Sequence, residues 1–127
     1  MKDKIIKTLA IAIAVMGLIH IIATFTPIIG GELEKLTCAK RFAMLYMSLM
    51  CGALLVVCGT LVALLNGHVK EHRFLRVPYG IVMAALCADG IMAAAFMTHN
   101  PMAWVVLALV ACLQLVTFLR IKENKRQ

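Results

Sequence analysis

The sequence predicts an all-α integral membrane protein: an antiparallel bundle of four transmembrane helices with both termini in the cytoplasm. Of its 127 residues, 63% are hydrophobic and only 15% are charged, whereas about a quarter of the residues in a soluble domain are charged. The apolar residues fall into four runs, at 5–29, 42–65, 77–97 and 101–119. Each run is long enough to cross a hydrocarbon core of about 30 Å as a helix. Because the connections are short, the whole chain, 1–127, is expected to form a single transmembrane domain.

The first run has the basic start of a secretory signal but not its length. Lys2, Lys4 and Lys7 precede or open it, and signal peptides also begin with positive charge. The apolar stretch is much longer than the core of a signal, about 7–15 residues, and no small-residue cleavage site follows it. We therefore expect a retained span, which Pro27 and the glycines after it bring to an end.

Small residues at helical spacing indicate the faces on which the spans pack. The first run carries a stripe that is expected to face the bundle interior: Ala10, Ala14, Gly17, His20, Thr24 and Pro27. The second run has Ser48 and Gly52 four residues apart, followed by Gly59. The third run has two small-residue faces and is expected to pack against several neighbours; these faces are Gly80, Ala84 and Ala88, and Ala85, Asp89 and Ala93. The fourth run opens at Pro101, a favoured first position of a helix.

Lysine and arginine are distributed unevenly between the two sides of the membrane. If both termini are inside, only three of the 13 basic residues lie outside: Lys35, Lys40 and Arg41. The inside set includes Lys125 and Arg126 near the C-terminus. This bias predicts a multi-pass protein of a bacterial inner (cytoplasmic) membrane with N-in/C-in topology.

The net charge of +7 is explained by this topology and by attraction to anionic lipid headgroups. It gives no reason to expect nucleic-acid binding. The lipid bilayer is therefore the expected partner, and the basic residues near its cytoplasmic side are assigned to headgroup contacts: Lys70, Arg73, Arg76 and Arg120.

An aspartate stands inside the third run, in the segment MAALCADGIMAAAF. A carboxylate at a helix centre costs about 2.5–3.5 kcal/mol on the translocon scale, so Asp89 must face the interior and find a partner or a proton. Counted from Ile29 and Met97 as outer ends, His20 and Asp89 both lie roughly 12–14 Å deep. We expect the two side chains to hydrogen-bond or form an ion pair across the first and third spans.

Other polar residues extend this level. Cys51 reaches it on the second run, and Ser48 lies one turn above. Thr24 can continue the polar track outward and Gln114 inward, although each can equally bond a neighbouring helix. The candidate ligand- or proton-binding residues are therefore Asp89, His20, Thr24, Ser48, Cys51 and Gln114. The alternative is that the aspartate–histidine pair only fixes the register of two helices.

No metal site and no cofactor are predicted. Three methionines recur every three residues before Cys51, and soft donors of this kind suit Cu(I), but methionine also fills gaps in apolar helices; they are Met44, Met47 and Met50. His68 and His72 are four residues apart in a loop, but two ligands do not complete a zinc site. The five cysteines include no CxxC pair and indicate no disulfide framework.

The leading functional hypothesis is a small-solute or proton-coupled transporter, or a channel subunit, in which Asp89 titrates and His20 is its partner. Because a chain of this size encloses little volume, a permeation path is expected between the protomers of a homo-oligomer.

Three alternatives stay open. A haem- or quinone-binding redox subunit would use His20 as an axial ligand, although His99, the nearest histidine toward the outer side, is roughly 16 Å higher. A lipid-binding or accessory membrane protein without transport would depend on the basic inner loop. An enzyme is less favoured, since His20 has no second catalytic group beside it and no P-loop, dinucleotide fingerprint or HExxH motif is present.

Overall fold

The computed structural model describes residues 1–124, apart from the side chains of Ile28, Ile29, Glu32 and Asn124. Its helices are α1 (Lys2–Thr24), α2 (Pro27–Glu34), α3 (Cys38–His68), α4 (Arg76–Phe96) and α5 (Pro101–Asn124), and a 3₁₀ turn at Arg73–Leu75 leads into α4. Four of these, α1, α3, α4 and α5, are long and apolar enough to cross a membrane. The all-α prediction is confirmed, since residues 1–124 contain no strand. Lys125 and Arg126, which the charge pattern places inside, lie outside the described residues.

The first span ends earlier than predicted. The helix α1 stops at Thr24, where the N–H groups of Phe25 and Thr26 bond the carbonyls of Ile22 and Ala23 and close the last turn. Proline has no N–H and is favoured at the first position of a helix, so Pro27 starts the separate helix α2. The predicted end at Ile29 is therefore wrong, because residues 27–34 form a separate short helix. Pro27 is exposed there, so it does not belong to the interior stripe.

The four long helices form a closed ring in the order α1, α3, α4, α5. Each packs against the two beside it, and α1 and α4 lie diagonally opposite. Neighbours run antiparallel: Thr24 at the end of α1 bonds Ser48 in the first half of α3, and Asn66 near the end of α3 bonds Asp3 at the start of α1. The most deeply buried core side chains come from all four helices: Ile6, Ile13, Leu55, Val62, Leu86, Val110 and Leu113.

The tightest contact in the ring joins α1 to α3 at glycines. A Cβ on Gly17 would lie 2.6 Å from the carbonyl oxygen of Gly52, and a Cβ on Gly59 would lie 2.7 Å from that of Ala10. These approaches leave no room for a side chain, so the two backbones meet directly. The small residues predicted on the first two spans thus set this interface.

On α4, one of the two predicted small-residue faces is not a packing face. Gly80, Ala84 and Ala88 are exposed, and a Cβ added to Gly80 would meet nothing within 4 Å. In a ring of four, each helix has two neighbours and keeps an outward face. The other predicted small-residue face does pack inside the bundle, since Asp89 and Ala93 are buried.

Candidate functional site

Asp89 lies on the interior side of α4, seven residues before the helix ends at Phe96. It is 7% exposed. Its Oδ1 accepts a hydrogen bond from Cys51 Sγ at 3.5 Å, and a thiol is a weak donor. Its Oδ2 is buried and has no hydrogen-bond partner among the described residues. Since buried polar groups are nearly always paired, an unpaired carboxylate oxygen is an exceptional feature of the interior.

His20 lies on α1, half-buried, and takes part in a chain of polar contacts with Thr24 and Ser48. Thr24 Oγ1 donates to the carbonyl oxygen of His20 at 2.9 Å and lies 2.7 Å from Ser48 Oγ. Ser48 Oγ lies 3.2 Å from His20 Nε2. Because the single proton of Thr24 goes to the carbonyl, Ser48 donates to Thr24 and His20 donates from Nε2 to Ser48. In a neutral ring this assignment leaves Nδ1 as the proton acceptor.

The depths of the two residues differ from the prediction. His20 is four residues, about 6 Å, from the end of α1, and Asp89 is about 10 Å from the end of α4. The count from Ile29 was wrong because α1 ends at Thr24. On α3, Ser48, which bonds His20, precedes Cys51, which bonds Asp89, by three residues, so the imidazole lies about one turn nearer the start of α3 than the carboxylate does.

A small cavity brings the two side chains together. It has a volume of about 20 Å³ and is lined by His20, Cys51 and Asp89, with apolar neighbours such as Leu55 and with Asn100 of the α4–α5 turn. A cavity of more than about 10–15 Å³ can hold one water molecule. The space at Asp89 is therefore enough for one water but not for an organic solute.

The expected direct bond between His20 and Asp89 is not formed: within residues 1–124, neither a hydrogen bond nor an ion pair joins them. The reason is their placement on α1 and α4, which are diagonal in the ring. The helix α3 lies between them and supplies a partner to each, with Ser48 bonding His20 and Cys51 bonding Asp89. Since residues three apart share a helix face, one face of α3 connects the two groups.

Gln114 does not extend this site. Its Nε2 donates to the carbonyl oxygen of Met83 on α4 at 2.7 Å, and it lies outside the cavity at Asp89. Of the six residues predicted for ligand or proton binding, five surround the cavity or bond to His20, and Gln114 instead ties α5 to α4.

A second polar cluster occupies the opposite end of the bundle; sequence reasoning named Lys70 and Arg120 as headgroup contacts but missed their pairing with Asp3 and Asn66. Arg120 is 5% exposed, and its Nη1 donates to Asp3 Oδ1 at 2.9 Å and also to Asn66 Oδ1. Lys70 Nζ binds Asp3 Oδ2 at 2.7 Å, and Asn66 Nδ2 binds the carbonyl oxygen of Asp3 at 3.2 Å. A buried arginine paired in this way fixes the ends of α1, α3 and α5 together. The available signal was Asp3 itself, an acid among the lysines of the N-terminus.

A wide groove of about 990 Å³ lies between α4 and α5 and begins beside this cluster. Lys70, Arg76 and Arg120 line one end of it. Arg73, the fourth residue predicted for headgroup contact, is exposed in the 3₁₀ turn and does not line the groove. The groove also holds Tyr79 and Thr117, whose buried hydroxyls have no hydrogen-bond partner among the described residues.

The two groups of residues considered as metal ligands, the methionines before Cys51 and the histidines at and after the end of α3, lie in different surroundings. Met44, Met47 and Met50 are exposed on the outside of α3, whereas Cys51 faces Asp89. The ligand atoms of three exposed residues at and after the end of α3 all lie within 4.8 Å of one another: His68, Glu71 and His72. The loop thus adds a glutamate that the two-histidine spacing did not count.

No protein-family model, curated protein or solved structure matches this chain. The functional argument therefore depends on the geometry of its own residues.

Proposed function

We propose that the protein is a proton-binding membrane transport protein in which Asp89 takes up and releases the proton. The observation that supports this most is the buried, unpaired Oδ2 of Asp89 beside a cavity the size of one water molecule. An anionic carboxylate with an unsatisfied oxygen is costly in an apolar interior. A proton on that oxygen removes the charge, and a cavity water gives it a partner.

The surrounding groups offer a route for the proton from the outer end. The titratable side chains that act on Asp89 are His20 from α1 and Cys51 from α3, and Cys58 lies farther along α3. A proton taken up by the His20 imidazole passes to the cavity water as that water gives one of its own protons to Asp89. The hydroxyls of Ser48 and Thr24 hold the imidazole in place for this exchange.

The size of the site favours a proton over other cargo. A cavity of about 20 Å³ is far below the roughly 300–1,000 Å³ of pockets that bind small organic molecules. The same comparison weakens the haem- or quinone-binding alternative, because the cavity at His20 is too small for either group. A metal cation such as Ca²⁺ prefers about 6–8 oxygen ligands, and Asp89 supplies the only carboxylate at this cavity among the described residues.

Passage across the whole membrane requires more than this cavity. Below Asp89 the interior is filled by Val62, Leu86 and Leu113, each fully buried. The proposal therefore includes a homo-oligomer whose copies complete the path between them. It also includes N-in/C-in insertion in a bacterial cytoplasmic membrane, which the distribution of lysine and arginine supports.

The proposal is tested with purified protein in liposomes that enclose a pH-sensitive dye. An imposed pH gradient should collapse faster with the native protein than with empty liposomes, and Asp89→Asn should remove most of that acceleration. Glu34→Gln is the matched control, because Glu34 is an exposed acid outside the long helices. For the histidine, His20→Gln should slow proton flux and His99→Gln, an exposed change in the outer turn, should not.

A direct observation of the proton separates this from a purely structural role. Infrared difference spectra between acid and alkaline pH should contain a protonated-carboxyl band that disappears in Asp89→Asn and persists in Glu34→Gln. Equal proton flux in Asp89→Asn and native protein, together with an unchanged carboxyl band, would overturn the proposal.

A further inference from the structure

The groove between α4 and α5 has two parts with different chemistry. One end is lined by cationic and hydroxyl side chains, and the rest is lined by small and apolar residues of the two helices, apart from Gln114. We infer that this groove binds one anionic phospholipid, with the phosphate at the polar end and an acyl chain along α4. The inference is independent of proton binding at Asp89.

The charge at the polar end complements a phosphate. Lys70, Arg76 and Arg120 carry three positive charges, and Asp3, which bonds two of them, carries one negative charge. The net charge of this group is therefore 3 − 1 = +2. The hydrogen bonds of Arg120 to Asp3 and Asn66 both leave from Nη1, and the Tyr79 hydroxyl also lies within its reach. A guanidinium has further N–H groups, so donors remain to meet phosphate oxygens. Arginine binds phosphate through such forked donors.

Two buried hydroxyls beside these cations point to a ligand. Tyr79 and Thr117 are each 5% exposed and line the groove. Their oxygens have no hydrogen bond of ordinary geometry within the described part of the chain. The Tyr79 hydroxyl nevertheless lies within hydrogen-bonding reach of both Thr117 and Arg120, so pairing at this end of the groove is incomplete rather than absent. A buried hydroxyl without a well-aligned partner is destabilising. Phosphate or ester oxygens of a lipid would accept from both.

The apolar part of the groove fits one lipid leaflet. Its α4 side extends from Gly80 through Ala84 and Ala88 to Ile91, a distance of about 16 Å along a helix. This is close to half of a hydrocarbon core of about 30 Å. Since a Cβ on Gly80 would meet nothing within 4 Å, the small residues leave open space where an acyl chain can lie. A free phosphate ion would make no use of this length.

A second copy of the chain is the competing occupant of the groove. A twofold axis along the membrane normal would bring Lys70, Arg76 and Arg120 of both copies to the same depth. Like charges would then face each other across the contact, which costs energy unless an anion lies between them. The charge pattern therefore favours a lipid.

The experiment compares lipid retention by the full-length protein in native mass spectrometry after incubation with phosphatidylglycerol or phosphatidylcholine. Phosphatidylglycerol should bind roughly tenfold more tightly, and its binding should raise the thermal unfolding midpoint. Tyr79→Phe and Thr117→Val remove only the hydroxyls and should each weaken binding by several-fold, because each loses a hydrogen bond to a charged group. Gly80→Leu fills the groove and should also weaken it.

Two control variants are measured in the same lipid-retention experiment. Thr60→Val removes an exposed hydroxyl from α3, and Lys122→Gln removes an exposed cation from α5 outside the groove; both should retain native binding. Equal binding of the two lipids, or no loss in Tyr79→Phe and Thr117→Val, would overturn the inference. If inorganic phosphate alone stabilises the protein and Tyr79→Phe abolishes that effect, the groove is a free-anion site and the inference is overturned. If the protein is a dimer that Gly80→Leu dissociates, the groove holds a second copy and the inference is likewise overturned.

Discussion

Arg120 and Asp3 are 117 residues apart in the chain, yet Nη1 of the arginine donates to Oδ1 of the aspartate at 2.9 Å. The second carboxylate oxygen of Asp3 binds Lys70 at 2.7 Å. One carboxylate thus joins the start of α1, the end of α5 and the segment after α3. The pair closes the ring of helices at the end where α1 begins and α5 ends.

Removing the carboxylate should destabilise the protein. In Asp3→Asn, Arg120 stays 95% buried but loses its anionic partner, and an uncompensated buried charge is costly. Breaking a fully buried pair costs about 3–5 kcal/mol; the side chain of Asp3 is 47% exposed, so we expect about 1–3 kcal/mol. The free energy of unfolding in detergent or lipid micelles measures this change.

The control for this variant is Lys4→Gln, an exposed change on the same helix, which should alter stability by less than about 0.5 kcal/mol. The double variant Asp3→Asn with Arg120→Met should recover part of the loss, because it removes the unpaired charge. Equal stabilities of Asp3→Asn and Lys4→Gln would contradict the assigned role of the pair.

The α1–α3 interface should not accept even a methyl group at Gly59. A Cβ there would lie 2.7 Å from the carbonyl oxygen of Ala10 and 2.8 Å from the backbone nitrogen of Ala14. Both are backbone atoms, so the two helices must move apart. We expect Gly59→Ala to lower the free energy of unfolding by about 1–3 kcal/mol, the usual cost of overpacking.

Gly67 offers a matched control near the end of the same helix. A Cβ there would meet nothing within 4 Å, and alanine favours a helix over glycine by up to about 1 kcal/mol. Gly67→Ala should therefore be neutral or stabilising in the same unfolding experiment. If both alanine variants behave alike, the close approach of α1 and α3 does not control stability.

The four long helices were predictable from the sequence because a hydrocarbon core admits few alternatives to long apolar helices. The end of the first span was misplaced because the apolar composition continues through Pro27 to Ile29, while the backbone changes helix at the proline. Hydropathy records which residues avoid water, and it does not record where one helix stops and the next begins.

The candidate site was partly predictable for a related reason. Asp89 stands out because it is the charged residue of an apolar run, and Cys51 and Ser48 followed from depth along the second run. The direct bond to His20 was predicted wrongly, since loop lengths do not reveal that α1 and α4 are diagonal in the ring. Asp3 was missed because a charge near a terminus is usually solvated, and only the adjacency of α1 and α5 brings it to Arg120.

The proposed topology is tested by cysteine labelling in whole cells. Cys38 is exposed at the start of α3, beside the loop proposed to lie outside, and His72 is exposed in the loop proposed to lie inside. In variants with a single cysteine, a membrane-impermeant maleimide should label Cys38 in intact cells. It should label His72→Cys only after permeabilisation. The reverse pattern would place the termini outside and would contradict the charge-based orientation.

Ser48 should act on proton transfer by positioning the imidazole of His20. Its hydroxyl bridges His20 Nε2 at 3.2 Å and Thr24 Oγ1 at 2.7 Å, so Ser48→Ala leaves the ring without its partner on α3. A lost hydrogen bond of this kind is worth about 1 kcal/mol, and we expect proton flux in liposomes to fall roughly five- to tenfold. Ser48→Thr keeps the hydroxyl and should restore most of the flux, which a general packing effect at this position would not do. Equal flux in Ser48→Ala and Ser48→Thr would mean that the hydroxyl does not orient His20, and the route from the outer end to Asp89 would have to bypass the imidazole.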